Sequence, residues 1–170
     1  MNKKVITFGK IVEDKQCSLD NKLVYNNSIS TNIGMQKSIL SNLSNDMFND
    51  KEKSDIHYCM KRDIQNKVNG YKAQDVKKNI YDCDNFITVD ETYDKLITSG
   101  LVCEYCRNNV CIIYHKKKQG NQWTLDRIDN YIGHNNDNCV ISCLKCNLQR
   151  RRLDDKKFKF TKQMKLCKIS

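Results

Sequence analysis

Two Cys-x-x-C pairs, Cys103/Cys106 in CEYC and Cys143/Cys146 in CLKC, constrain this chain more than any other feature. Four thiolates at that spacing can close one tetrahedral zinc site. Such a site ties two distant stretches of backbone together and fixes what lies between them. The enclosed stretch carries Asp126, Arg127, Asp129, His134 and Asn138, and Asn147 follows the second pair directly. Its carboxylates, carboxamides and imidazole are hard oxygen and nitrogen donors suited to magnesium and phosphate chemistry. An all-cysteine site leaves no open position for water, so the zinc is expected to be structural. Its binding would add on the order of 10 kcal/mol to folding, as in small zinc modules.

Such a staple suits a chain of 170 residues in which only 39% are hydrophobic. The net charge is +10, and from Lys145 to Ser170 ten Lys or Arg face two acids, Asp154 and Asp155. Nearly all the excess charge therefore lies beside the second cysteine pair. A basic surface next to a candidate site points to nucleic acid. An AT-rich coding bias would raise lysine throughout, but it explains neither the clustering nor Arg150-Arg151-Arg152. The apolar stretch Val5–Phe8 is too short for a signal peptide, and Lys10 follows almost at once. No run approaches the ~18 apolar residues of a membrane span. A soluble, intracellular protein without membrane partners is expected, its thiols reduced and open to metal. The other cysteines are Cys17, Cys59, Cys83, Cys111, Cys139 and Cys167. Most read as ordinary thiols; Cys111 and Cys139 are close enough to the pairs to be spare ligands.

Residues 1–85 form an N-terminal segment of unassigned role, partly helical, with partial disorder an open alternative for the Ser-, Asn- and Lys-rich stretch 13–55. Ile39, Leu43 and Met47 share a helical spacing there. A clearer helix runs from Ser54, with Ile56, Met60, Ile64 and Val68 on one face and Gly70 placed to cap it. His57 and Cys59 lie on it without partners at ligand spacing. Residues 86–170 hold the zinc region and a basic C-terminal tail. Thr88 to Gly100 predicts a helix capped by Asp90, with Tyr93, Leu96 and Ile97 as its apolar stripe. Strands are expected at Val110–Tyr114, Gln122–Ile128 and Cys139–Ser142, then a helix over Leu144–Arg152. Trp123 is expected to pack against the knuckle or the helix. Phe158 and Phe160 alternate with Lys157 and Lys159 as in a half-buried strand.

CEYC, LDRIDN, the Asn of DNCVISC and CLKCNLQR, in that order and spacing, resemble the HNH nuclease family over about Thr92 to Leu153. The closest likeness is to its phage and large-DNA-virus members with a four-cysteine zinc site. The resemblance implies an α+β fold: a small ββα-metal core stapled by zinc and preceded by a helical N-terminal segment. It implies a metal-dependent endonuclease hydrolysing DNA phosphodiesters, with catalytic Mg2+ or Mn2+ besides structural Zn2+. Asp126 and Asn147 would hold the catalytic ion, and Asn138 would brace the loop. One such site handles one phosphate at a time, so duplex cleavage needs a homodimer or sequential nicks.

Arg127 departs from the family pattern, which has a general-base histidine there. Arginine stays protonated, so Arg127 is suited to clamping phosphate or stabilising developing charge. His134 is the leading alternative base, since its ordinary pKa near 6.5 suits proton abstraction at neutral pH. Asp129 follows, and His115 is remote in the pattern. Lys145, Arg150, Arg151 and Arg152 are candidate DNA-backbone contacts, giving salt-dependent affinity without sequence selectivity. The competing function is a zinc-stabilised DNA-binding module that does not hydrolyse. A zinc-bearing interaction protein indifferent to nucleic acid fits the clustered charge least.

Overall fold

Helices whose apolar stripes need a common core surround a very small sheet. The structure, a computed structural model, describes residues 32–41, 51–114 and 118–165, without the side chains of 51–56. The described elements are α1 (Ile33–Ser41), α2 (Lys51–Lys77), α3 (Val89–Thr98), β1 (Trp123–Arg127), β2 (Cys139–Cys143), α4 (Leu144–Arg150) and α5 (Asp155–Gln163). They make a mixed α and β chain whose sheet is the antiparallel pair β1–β2, with Asp126 opposite Val140. Leu43, Met47 and His115 lie outside the described residues.

The core crosses the boundary that the sequence suggested at residue 85. Ile39 and Leu40 of α1 and Met60, Ile64 and Val68 of α2 join Leu96, Trp123, Leu125 and Ile141 in one buried cluster. α2 does not stop at the expected cap, Gly70, but runs on to Lys77. The helix covers the outer edge of β1 on both sides of Gly70. Tyr71 Oη accepts from the Leu125 amide at 3.1 Å, and Lys67 Nζ donates to the Trp123 carbonyl at 2.5 Å. An otherwise open strand edge is thereby satisfied.

α1 is fastened by a polar side chain. Gln36 is fully buried, its Oε1 accepting from the Ile112 and Ile113 amides at 2.9 and 3.1 Å and its Nε2 donating to the Ile113 carbonyl. Removing it strands these backbone groups, so Gln36→Ala is expected to cost about 1–3 kcal/mol. Urea unfolding at equal m-value would show it as a lower midpoint.

Four sequence expectations need correction. The N-cap of α3 is Thr88, not Asp90: Thr88 accepts from the Glu91 amide while Glu91 reaches back to the Thr88 amide. Val110–Tyr114 is buried through Ile113 but forms no strand, only a single bridge of Cys111 to Gln122. α4 ends at Arg150 because Arg151 takes φ 52°, outside helical space. Phe158 and Phe160 sit on a helix capped by Asp154, so Phe158 is buried while Phe160 is 69% exposed. Among the described residues no helix is long and apolar enough to cross a membrane.

Candidate functional site

The two cysteine pairs converge. The Sγ atoms of Cys103, Cys106, Cys143 and Cys146 all lie within 4.8 Å of one another and could hold a metal ion such as zinc. Local backbone dictates the approach. Cys103 sits in a tight turn closed by its amide on the Asn108 carbonyl (2.9 Å) and by Arg107 at φ 60°. Cys143 ends β2 and caps α4, its sulfur accepting from the Cys146 amide at 3.3 Å. The Glu104 amide donates to the Ile141 carbonyl (2.9 Å) and pins one pair to the other. The hydrogen bond with Cys143 draws the Cys103 thiol down to about 5, the same contact pushes Cys143 up, and burial pushes Cys146 up to about 12. One thiolate forms readily; four in this space require a cation. Cys111 and Cys139 are buried outside the cluster, with thiols pushed up to about 11 and about 12 by burial.

α4 lies over one side of β1 and carries Asn147 and Arg150 onto it. Asn147 Nδ2 donates to Thr124 Oγ1 (3.1 Å) and to the Leu125 carbonyl (3.3 Å). One turn on, Arg150 forks Asp126: Nε to Oδ2 at 2.7 Å and Nη2 to Oδ1 at 3.0 Å. Thr124 and Asp126 are two apart on the strand and share a face. Asp126 and Asn147 are thus brought to the same side. Arg150, expected as a surface phosphate contact, is instead 1% exposed. Its remaining donors reach the carbonyls of Leu153 (2.8 Å), Ile128 (3.5 Å) and Arg127. Tyr105, which sequence reasoning passed over, is buried near this pair. Its hydroxyl feels the charges of Asp126 and Arg150 and makes no hydrogen bond of good geometry.

The loop between the strands is rigidly built. Asn138 accepts from the Asp129 amide (2.8 Å) and donates to the carbonyls of Asp129 (2.9 Å), Gly133 (2.9 Å) and Ile132 (3.4 Å). Arg127 Nη1 grips the same loop through the carbonyls of Asn130 and Ile132, both at 3.2 Å.

His134 does not swing freely in that loop; it is 4% exposed and bound on the α2 side. Nδ1 lies 2.8 Å from Asp75 Oδ1, its amide donates to Asp75 Oδ2 (2.6 Å), and its ring stacks on Tyr71 at 4.6 Å. The preceding residue must be glycine. A Cβ on Gly133 would lie 2.5 Å from the Ile80 carbonyl oxygen. Among the described residues no hydrogen bond or ion pair joins His134 to Asp126. The missed signal was on α2, where half-buried Lys67 and Tyr71 and buried Asp75 recur every four residues as a polar stripe.

Burial pushes the His134 imidazole below its ordinary range, against the pull of Asp75 and with Arg127 and Lys78 adding to the depression. A histidine with a depressed folded pKa binds protons more readily when unfolded. Its stabilisation is complete above about pH 6.5 and is lost as pH falls toward the folded pKa. The urea midpoint should therefore drop between about pH 7.5 and about pH 5.5. His134→Gln, which offers Asp75 a donor but does not titrate, should drop less.

The other expected basic contacts are dispersed. Lys145 is exposed at the start of α4, near Gly120. Arg151 and Arg152, both exposed, border a groove of about 960 Å3 with Lys78, Arg127 and Tyr131. Part of the C-terminal charge is spent internally, since Lys159 pairs with Glu104 on the cysteine turn.

The fold and site define a small α and β module organised by a four-cysteine, zinc-compatible cluster. No protein-family model, curated protein or solved structure matches the chain.

Proposed function

We propose that the chain is a metal-dependent endonuclease of the HNH type that hydrolyses DNA phosphodiesters, with β1, β2 and α4 as its ββα-metal unit. The observation that carries this is the shared face. Asn147 binds Thr124 and Leu125, and Arg150 of the same helix binds Asp126. One carboxylate and one carboxamide are a sufficient protein share for magnesium or manganese, which keeps waters and takes substrate phosphate oxygens. Arg150 now pairs with both oxygens of Asp126, and the Tyr105 hydroxyl is buried beside that pair. A bound divalent ion would offset the charge developing on the scissile phosphate. For that, Arg150 must give up the carboxylate. Arg127 steadies the loop through the carbonyls of Asn130 and Ile132.

A second reading, a DNA-binding module without hydrolysis, is favoured by one observation: Arg150 closes both carboxylate oxygens and is itself fully engaged. Nicking of supercoiled plasmid separates the two. With magnesium or manganese, wild type should nick, and Asp126→Ala and Asn147→Ala should slow this about a hundredfold or more, the scale of losing one transition-state charge contact. Asn147→Ala leaves the buried ion pair intact and so separates lost chemistry from lost fold. A wild type that binds plasmid but never nicks it would leave the binding module as the function. Magnesium should be omitted rather than chelated in controls, because a chelator also attacks zinc.

A further inference from the structure

We propose that the groove between residues 128–132 and 151–155 receives unpaired nucleic acid, with one base stacked on Tyr131 and neighbouring phosphates on Arg151, Arg152 and Lys78. This deepens the proposed function; it rests on its nucleic-acid part and not on hydrolysis. Tyr131 is 87% exposed, an unusual placement for a large aromatic ring. The backbone beneath it is nevertheless fixed. Its amide donates to Asp129 Oδ1 (2.8 Å), Asn138 braces the loop on both sides, and Asn130 Nδ2 donates to the Arg151 carbonyl (3.0 Å). An exposed ring on a fixed mount is a preorganised stacking platform.

The surroundings match a nucleotide rather than an apolar peptide. Ile128 and Leu153 are also exposed and line the groove, giving it an apolar part beside the ring. Arg151 and Arg152 border it, and their side chains make no ion pair among the described residues. Two of the three acids in the groove are turned to backbone: Asp129 receives the Tyr131 amide, and Asp154 receives the Lys157 amide as the cap of α5, while Asp155 stands in the first turn of that helix. Lys78, Arg151 and Arg152 thus face a groove whose acids are for the most part already engaged, which suits an outside anion. Arg151 also holds φ 52° and ψ −106°, sparsely populated for a residue with a side chain, and local strain of this kind gathers at binding sites. A base inside a duplex hides its faces against its neighbours. Only an unpaired or extruded base offers one to Tyr131, which selects single-stranded segments over continuous duplex.

The test is fluorescence anisotropy with one labelled oligonucleotide, single-stranded and annealed to its complement, using full-length zinc-loaded protein without magnesium or manganese. Wild type should bind the single strand more tightly. Tyr131→Ala should weaken single-strand binding about five- to a hundredfold, as for loss of one base–aromatic stack, and leave thermal unfolding unchanged; Tyr131→Phe should bind like wild type. Arg151→Ala with Arg152→Ala should lower the slope of log affinity against log salt by about two phosphates' worth. Equal affinity for both forms, or no effect of Tyr131→Ala, overturns the proposal even if plasmid is nicked. Intact single-strand binding without nicking would count against hydrolysis alone.

Discussion

Replacing Cys146 with serine is expected to abolish the cooperative unfolding transition of the zinc region, and metal removal from wild type should do the same. The four sulfurs are mutually within 4.8 Å, and the elements they join are short. The sheet has two strands and α4 only seven residues. A two-stranded sheet and a two-turn helix are marginal alone. Structural zinc in comparable modules supplies about 10–16 kcal/mol of apparent binding free energy, as much as a domain's whole stability. Loss should reach beyond the cysteines, because α5 docks on their turn through Gln163 Nε2 to the carbonyls of Glu104 and Tyr105, at 3.1 and 3.0 Å. Circular dichroism with metal analysis checks this. Purified, folded protein without zinc would contradict it.

The second large effect is expected at the buried pair. Arg150→Met should lower stability by about 3–5 kcal/mol, because it leaves Asp126 charged, buried and uncompensated. It also removes the donors that the carbonyls of Leu153, Ile128 and Arg127 now use. Changing both residues, Arg150→Met with Asp126→Leu, should recover much of that loss, since apolar replacement of a whole ion pair is often nearly neutral. Manganese should also restore part of the stability of Arg150→Met, by linkage to a cation binding at Asp126. Equilibrium urea unfolding of the three proteins, with and without manganese, measures all three expectations. A single variant as stable as wild type would mean the pair is not holding α4 to β1.

What could be read in the chain was local. Cys-x-x-C spacing, the short apolar runs of β1 and β2, and a helix starting at Leu144 are each specified within a few residues. What could not be read depends on tertiary pairing. Nothing in Arg150-Arg151-Arg152 shows that the first turns inward while the others face water; its partner, Asp126, is on another element. Lys67, Tyr71 and Asp75 carry no local mark of their role, because their partners are the edge of β1 and the His134 peptide. The Phe158/Phe160 alternation is too short to tell strand from helix, and Asp154 was the sign for a helix. Val110–Ile113 shows the reverse case, an apolar run buried without a ladder.

The central claim is that Asp126 and Asn147 together take a divalent cation when Arg150 yields. Manganese binding to zinc-loaded protein, followed by loss of the free-ion electron paramagnetic resonance signal in the presence of plasmid, addresses it directly. The account predicts one manganese per chain beyond the zinc, weakened in Asn147→Ala, tightened in Arg150→Met and absent in Asp126→Leu with Arg150→Met. Manganese uptake identical in all four proteins would contradict it.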